Sequence, residues 1–329
     1  MSPLEFTLPL TLSFLLCLGL TKFLIKYYNR HNRFVIDYHK PNNPKVAFPG
    51  GISLIASLCL SNFFLYLFTK DIRILAILLV TLIAGIVGII DDFYILGGKV
   101  KPALTILASI PILLFSTYDI YLQFPLFGST RLSIIYPLLI IISIPVTSNV
   151  VNSIDVFNGV LSSFMILASL PLLIALMLKA QFILVTSALI LILSCFAFFI
   201  YHRYPSKIFP GDSGALALGA SFGALAIVGD VEFVGLVALL PAIINSFFFL
   251  TSVKDFLEHR QLKKKPVRLN IDYELEALED RDAPLSLVRM IVAEKPLKEK
   301  DIVKRILIIS AYSSALAIVT AIIMYTKWV

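Results

Sequence analysis

The groups in this chain that could do chemistry are few, and they sit at the ends of apolar runs. Asp91 and Asp92 directly follow Ile89 and Ile90. Ionisable groups closing an apolar helix are expensive to bury, so they pair or they work. Two adjacent carboxylates repel each other and ask for a cation, either a divalent metal or a lysine. The plain alternative is a solvated helix terminus. Asn149, Asn152 and Asp155 recur every three residues, which places them near one face of a helix end. They supply hard oxygen ligands and hydrogen-bond donors. A turn at Asn158-Gly159 is ordinary after a helix, but it does not explain that polar row. Phe209-Pro210-Gly211-Asp212-Ser213-Gly214 opens a further apolar run. There Asp212 or Ser213 can serve as an N-cap, or Asp212 as a metal-binding carboxylate beside backbone N–H groups that favour phosphate. Lys101, nine residues beyond Asp92, reads as a pyrophosphate contact. His259, Arg260, Lys263 to Lys265 and Arg268 add cations further on. For the lysine run, the accumulation of positive charge on the cytoplasmic side or attraction to anionic lipid headgroups is the simpler reading.

These groups need a scaffold, and composition says which kind. The chain has 329 residues, 58% hydrophobic and 15% charged. Soluble domains carry about 25% charge. The apolar excess falls in runs at 6–27, 50–69, 72–90, 102–118, 132–151, 159–179, 181–201, 214–229, 232–253 and 304–327. A bilayer span needs about 20 apolar residues, and in lipid such runs must be helices. The expectation is an all-α integral membrane protein of about ten transmembrane helices, one polytopic domain over 1–329. The long loop 254–303 joins the last two spans. It is expected to be partly helical and to lie on the membrane surface.

The first run follows Glu5 rather than a basic residue and has no small-residue cleavage site after it. It reads as a transmembrane helix rather than a leader. With ten spans, the loops containing the polar motifs and their adjoining helix ends hold 23 of the 28 Lys and Arg residues. Positive charge accumulates on the cytoplasmic side, so the motifs are placed there and both termini outside. The net charge of +7 is thus mainly a topology signal and does not point to nucleic acid. Cys17, Cys59 and Cys195 lie inside apolar runs with neither metal nor disulfide spacing.

Several ordered motifs together resemble the polyprenyl-phosphate N-acetylhexosamine-1-phosphate transferases, over about Asp37 to Asn270. They are Asp37-x-x-Lys40 with Pro49-Gly50-Gly51, Gly88-Ile-Ile-Asp91-Asp92 with Lys101, and Asn149-x-x-Asn152-x-x-Asp155-x-x-Asn158-Gly159. Tyr204-Pro205-Ser206-x-x-Phe209-x-Gly211-Asp212, Pro241-x-x-x-Asn245 and Arg268-Leu269-Asn270 complete the set. The resemblance is closest to the eukaryotic and archaeal dolichyl-phosphate N-acetylglucosamine-1-phosphate transferases, and the lack of a large insertion points to an archaeal source.

The resemblance implies that a polyprenyl or dolichyl phosphate attacks the β-phosphorus of a UDP-N-acetylhexosamine, releasing UMP at the cytoplasmic face of the cell membrane (the ER membrane in a eukaryote). It implies Mg²⁺, with Mn²⁺ as the alternative, held by Asn152 and Asp212. It further implies uracil recognition by Asn158 and Phe209, with Asn149 and Lys40 also in the substrate site, and pyrophosphate contact by Lys101. Asp91 and Asp92 would organise the acceptor phosphate, and Asp155 joins the catalytic set. By analogy the assembly is a homodimer. His259-Arg260 or the run Lys263 to Lys265 stands where the family carries its sugar-reading motif, with Arg268 some eight residues on. Asp155 matches the bacterial members better than the eukaryotic ones. Two readings of other classes compete. A secondary transporter or flippase would need ionisable residues near the midplane of the bilayer, which the spans lack. A membrane scaffold would leave Asp91, Asp92 and Asp212 individually dispensable.

Overall fold

The computed structural model describes residues 3–40, 42–94, 96–253, 264–280 and 283–326. Its helices in chain order are α1 (Pro3–Arg30), α2 (Gly51–Thr69), α3 (Ile72–Tyr94), α4 (Val100–Thr105), α5 (Ile110–Leu114), α6 (Ile135–Ser153), α7 (Val160–Leu178), α8 (Phe182–His202), α9 (Gly211–Val228), α10 (Glu232–Ala238), α11 (Leu240–Val253), α12 (Leu287–Ile291) and α13 (Glu299–Tyr325). All ten apolar runs are helical, and the chain is a multi-pass membrane protein. Among the described residues, eight helices are long and apolar enough to cross a bilayer.

The other two runs are broken, and prolines explain both breaks. In the fourth, Pro111 cannot donate to the carbonyl one turn back, and Ile106–Ser109 tightens to a 3₁₀ turn between α4 and α5. The segment ends at Leu114, short of the expected 118. In the ninth, Pro241 removes the N–H that would continue α10, and α10 and α11 meet at a 66° bend.

α9 is the axis of the bundle. Every residue from Ser213 to Val228 is buried. It packs along α3 and α6 and also touches α2, α7, α8 and α10. α1 leans on α2 and α8, and α13 on α7 and α10. Glycines allow the closest approaches, as expected where lipid supplies no hydrophobic drive between helices. A Cβ at Gly51 would lie 2.1 Å from Gly214 N, and one at Gly88 would lie 2.5 Å from Ser213 Cα. On the other side, a Cβ at Gly219 of α9 would lie 2.5 Å from the Thr147 carbonyl oxygen of α6.

Three antiparallel hairpins depart from the all-helical expectation: β1 (Phe34–Ile36) with β2 (Lys45–Ala47), β3 (Tyr121–Phe124) with β4 (Gly128–Arg131), and β5 (Val267–Leu269) with β6 (Leu275–Ala277). The loop after the ninth run is therefore only partly helical, with α12 following the β5–β6 hairpin. The alternation Val267, Leu269, then Tyr273, Leu275, Ala277 carries the period of two that a strand requires. Ala47 also pairs with Ile208, and Gly50 and Gly51 donate to the carbonyls of Phe209 and Pro210 at 2.7 Å each. The first loop is thereby bound to the loop before α9.

Candidate active site

α3 brings Asp91 and Asp92, α4 Lys101, α6 Asn152 and α9 Asp212 to one end of the bundle. Lys101 Nζ lies 2.5 Å from Asp91 Oδ2 and 2.7 Å from Asp212 Oδ1. Asn152 Nδ2 donates to the same Asp212 oxygen at 2.7 Å. The Leu96 N–H donates to Asp91 Oδ1 at 2.5 Å. Lys101 and Asp91 are buried. One ammonium thus holds two carboxylates that would otherwise repel.

Asp92 has a different task. Its two oxygens accept from the Asp212 and Ser213 N–H groups at 2.8 and 3.0 Å. This caps the N-terminus of α9 from a neighbouring helix, satisfying donors that have no partner within their own helix. Gly211 makes room for it: its φ is +74°, and a Cβ there would sit 2.7 Å from Asp92 Oδ1. The amides expected to face phosphate are those that Asp92 occupies.

A second cluster lies around Asn158. Lys40 is ion-paired with Asp37 and donates to Asn158 Oδ1 at 2.5 Å. Asn158 Nδ2 donates to Asp37 Oδ2 at 3.0 Å, and the Ser206 N–H donates to Asn158 Oδ1 at 2.6 Å. The Asn158 backbone N–H donates to Glu299 Oε1 at 3.1 Å, and Glu299 Oε2 lies 3.8 Å from Lys40 Nζ. One asparagine, through its side-chain amide and its backbone N–H, therefore ties together the first loop, the α6–α7 loop, the loop before α9 and the start of α13.

Glycosyl transferase family 4 matches residues 74–230. A putative glycosyltransferase of Methanocaldococcus jannaschii is 30% identical over 314 residues, 94% of either chain. The chain belongs to glycosyl transferase family 4. A putative UDP-N-acetylglucosamine–dolichyl-phosphate N-acetylglucosaminephosphotransferase of Saccharolobus solfataricus is 30% identical over 250 residues, 74% of this chain and 77% of that one. A phospho-N-acetylmuramoyl-pentapeptide-transferase of Streptococcus mutans is 27% identical over 205 residues, 59% of this chain and 60% of that one.

In this family 4 transferase the remaining expected residues lie apart from one another. Asp155 follows α6, half-buried, and its carboxyl is pushed up to about 8, first by burial and then by the charges of Asp212 and Asp92. Asn149 turns to α4 and its own helix, donating to Pro145 O at 2.8 Å and Thr105 Oγ1 at 3.5 Å. Phe209 is half-buried, its ring edge-on to His202 with centroids 6.4 Å apart. Arg268 lies on β5, bonded to Glu276 of β6. With Lys265, Tyr38 and His39 it lines a cleft of about 310 Å³ beside the Lys40 cluster. His259, Arg260 and Lys263 lie outside the described residues.

Three members of the Asn158 cluster had no role assigned to them: Asp37 and Ser206, which stand in the motifs quoted above, and Glu299, which stands in none. Glu299 was hidden because the last span was expected to begin at 304. Pro296 and the acids Glu299 and Asp301 in the first helical turn were the available start signal.

Burial alone would raise the Asp37 carboxyl. The Lys40 and Asn158 hydrogen bonds and the Lys40 charge outweigh it and hold the group below the usual carboxylate range. A depressed carboxylate contributes stability above its unfolded value, about 3.9, and that contribution is lost as pH falls through the folded value. Asp37→Asn should therefore melt below wild type at neutral pH, and the gap should close as pH drops below about 4. Melting curves in detergent across that range check this, and a gap independent of pH would contradict it.

Proposed function

We propose that this transferase moves N-acetylglucosamine-1-phosphate from UDP-N-acetylglucosamine to a polyprenyl or dolichyl phosphate, giving the sugar diphospho-lipid and UMP. The observation that carries the reading is the meeting of Asp91, Lys101, Asn152 and Asp212, drawn from four helices, at one end of a membrane bundle. An acceptor whose phosphate sits at the interface and whose chain stays in lipid requires a site at that depth. The names of the Saccharolobus relative and of a Bacillus subtilis undecaprenyl-phosphate N-acetylglucosaminyl 1-phosphate transferase, 26% identical over 200 residues, support this donor and acceptor class.

Phosphoryl transfer asks a protein mainly for positioning and charge compensation. The acceptor phosphate has a second pKa of about 6, so it arrives largely ionised and proton removal is a minor demand. Lys101, relayed between Asp91 and Asp212, is placed to meet the diphosphate. Asp92 acts as a positioning residue: by holding the α9 N-terminus it sets where the Asp212 carboxylate points. Lys40, Asn158 and Phe209 form the nucleotide side, with Arg268 and Lys265 toward the sugar.

Among the described residues no three acidic, histidine or cysteine side chains gather into a metal cage. A hard-oxygen set of one or two carboxylates and an amide is nonetheless what Mg²⁺ uses when substrate phosphates and waters complete its shell. Asp212 and Asn152 fit that description and would hold Mg²⁺ or Mn²⁺, with the Asn152 amide, whose Nδ2 donates to Asp212 here, turned over to offer its oxygen. The ion would supply charge neutralisation on the diphosphate. The skew of Lys and Arg supports a cytoplasmic site and external termini.

The test is direct. Purified protein given UDP-N-acetylglucosamine, Mg²⁺ and a polyprenyl phosphate should release UMP. Silence with every UDP-N-acetylhexosamine would overturn the assignment.

A further inference from the structure

The end of the bundle away from the site carries a feature that the transferase reading leaves unused. α4 and α5 form a short apolar segment, Val100–Leu114. At about 1.5 Å per residue it falls several ångströms short of a bilayer core of about 30 Å. The chain then turns into the β3–β4 hairpin before re-entering as α6. The hairpin is held against the bundle close to its turn, since Phe124, paired with Gly128 as the last rung before the turn, packs on Phe233 of α10 with ring centroids 4.9 Å apart. Its tip is apolar and bare. Leu126 is 83% exposed and Phe127 89%.

Leu126 adopts φ +67°, a left-handed conformation that a branched apolar residue rarely takes. The chain on either side of the hairpin is apolar and exposed as well: Leu114 is 72% exposed and Ile134 81%. Arg131, exposed at the base of β4, is long enough to reach a lipid phosphate.

We propose that the β3–β4 hairpin is a monotopic anchor, with Leu126 and Phe127 inserted into the acyl region of the leaflet distal to the active site. It fills the depth that the short α4–α5 segment leaves uncovered and fixes the height of that segment, and with it Lys101, relative to the membrane. The partner is the lipid surface itself.

The chain's only tryptophan is Trp328. In a Trp328→Phe background, Phe127→Trp places a reporter at the tip while keeping an aromatic side chain there. In phosphatidylcholine vesicles with bromine on the acyl chains, its emission should be quenched, most strongly by bromines about 5–10 Å below the headgroups. Iodide present on both sides of the bilayer should leave it bright. Quenching by iodide with no effect of bromine would put the tip in water and overturn the proposal. Protection from both quenchers, together with an intermolecular disulfide from Phe127→Cys, would assign the tip to a second copy of the chain and overturn it equally.

Discussion

Asp212→Ala lowers the rate of UMP release by about 10²–10³-fold while leaving a folded, membrane-inserted protein, the loss expected when one preorganised charged group leaves a transfer site. Asp212 is the side chain on which Lys101 and Asn152 both converge, so its removal dissolves the link between α4, α6 and α9. Folding survives because Lys101 still has Asp91 at 2.5 Å. The converse change behaves differently. Lys101→Ala leaves Asp91 and Asp212 facing each other without a cation, and an uncompensated buried charge costs about 3–5 kcal/mol. Steady-state UMP release read beside melting temperature separates the two. An Asp212→Ala enzyme with wild-type turnover, or one that fails to fold while Lys101→Ala folds normally, would sink this account.

Gly88→Ala yields little folded protein. Its new Cβ would stand 2.5 Å from Ser213 Cα and 2.6 Å from the Asp212 carbonyl oxygen. The obstacle is backbone on both counts, so no side chain can swing aside, and α3 and α9 must separate. Overpacking in a dense core costs about 1–3 kcal/mol even where side chains can adjust. Separation here would also draw Asp92 away from the α9 amides. Gly97→Ala is the control, because its Cβ meets only Val100 Cγ2 at 3.9 Å. Equal yields and melting temperatures for the two variants would show that α3 and α9 do not approach as described.

The helices were legible because apolar runs in a membrane protein have one structural outcome, and the ten runs are all helical. The two breaks were legible only in part. Pro111 and Pro241 stand in the sequence, but whether a membrane helix bends around a proline or breaks at it depends on what packs alongside. The hairpins were missed because three- and four-residue strands offer too few alternations to rise above loop composition. At the site, Asp91, Lys101, Asn152 and Asp212 could be singled out because polar residues are rare at the ends of apolar runs. Their convergence could not be read, since it depends on how closely α3 and α6 approach α9. Asp92 illustrates the remaining gap. Its neighbour and its type both suggested a shared task with Asp91, whereas successive residues on a helix point about 100° apart: Asp91 meets Lys101 and only Asp92 accepts from the α9 backbone amides.

The pairing of Ala47 with Ile208, and of Asn158 with Glu299, also sets a timetable. A ribosome adding about 5–20 residues per second leaves the first loop without the loop that pairs with it for roughly ten to thirty seconds. The Asn158 cluster closes later still, when the final helix enters the bilayer. Truncated nascent chains would therefore carry membrane helices but no working catalyst, so the cell gains transferase activity only from completed molecules.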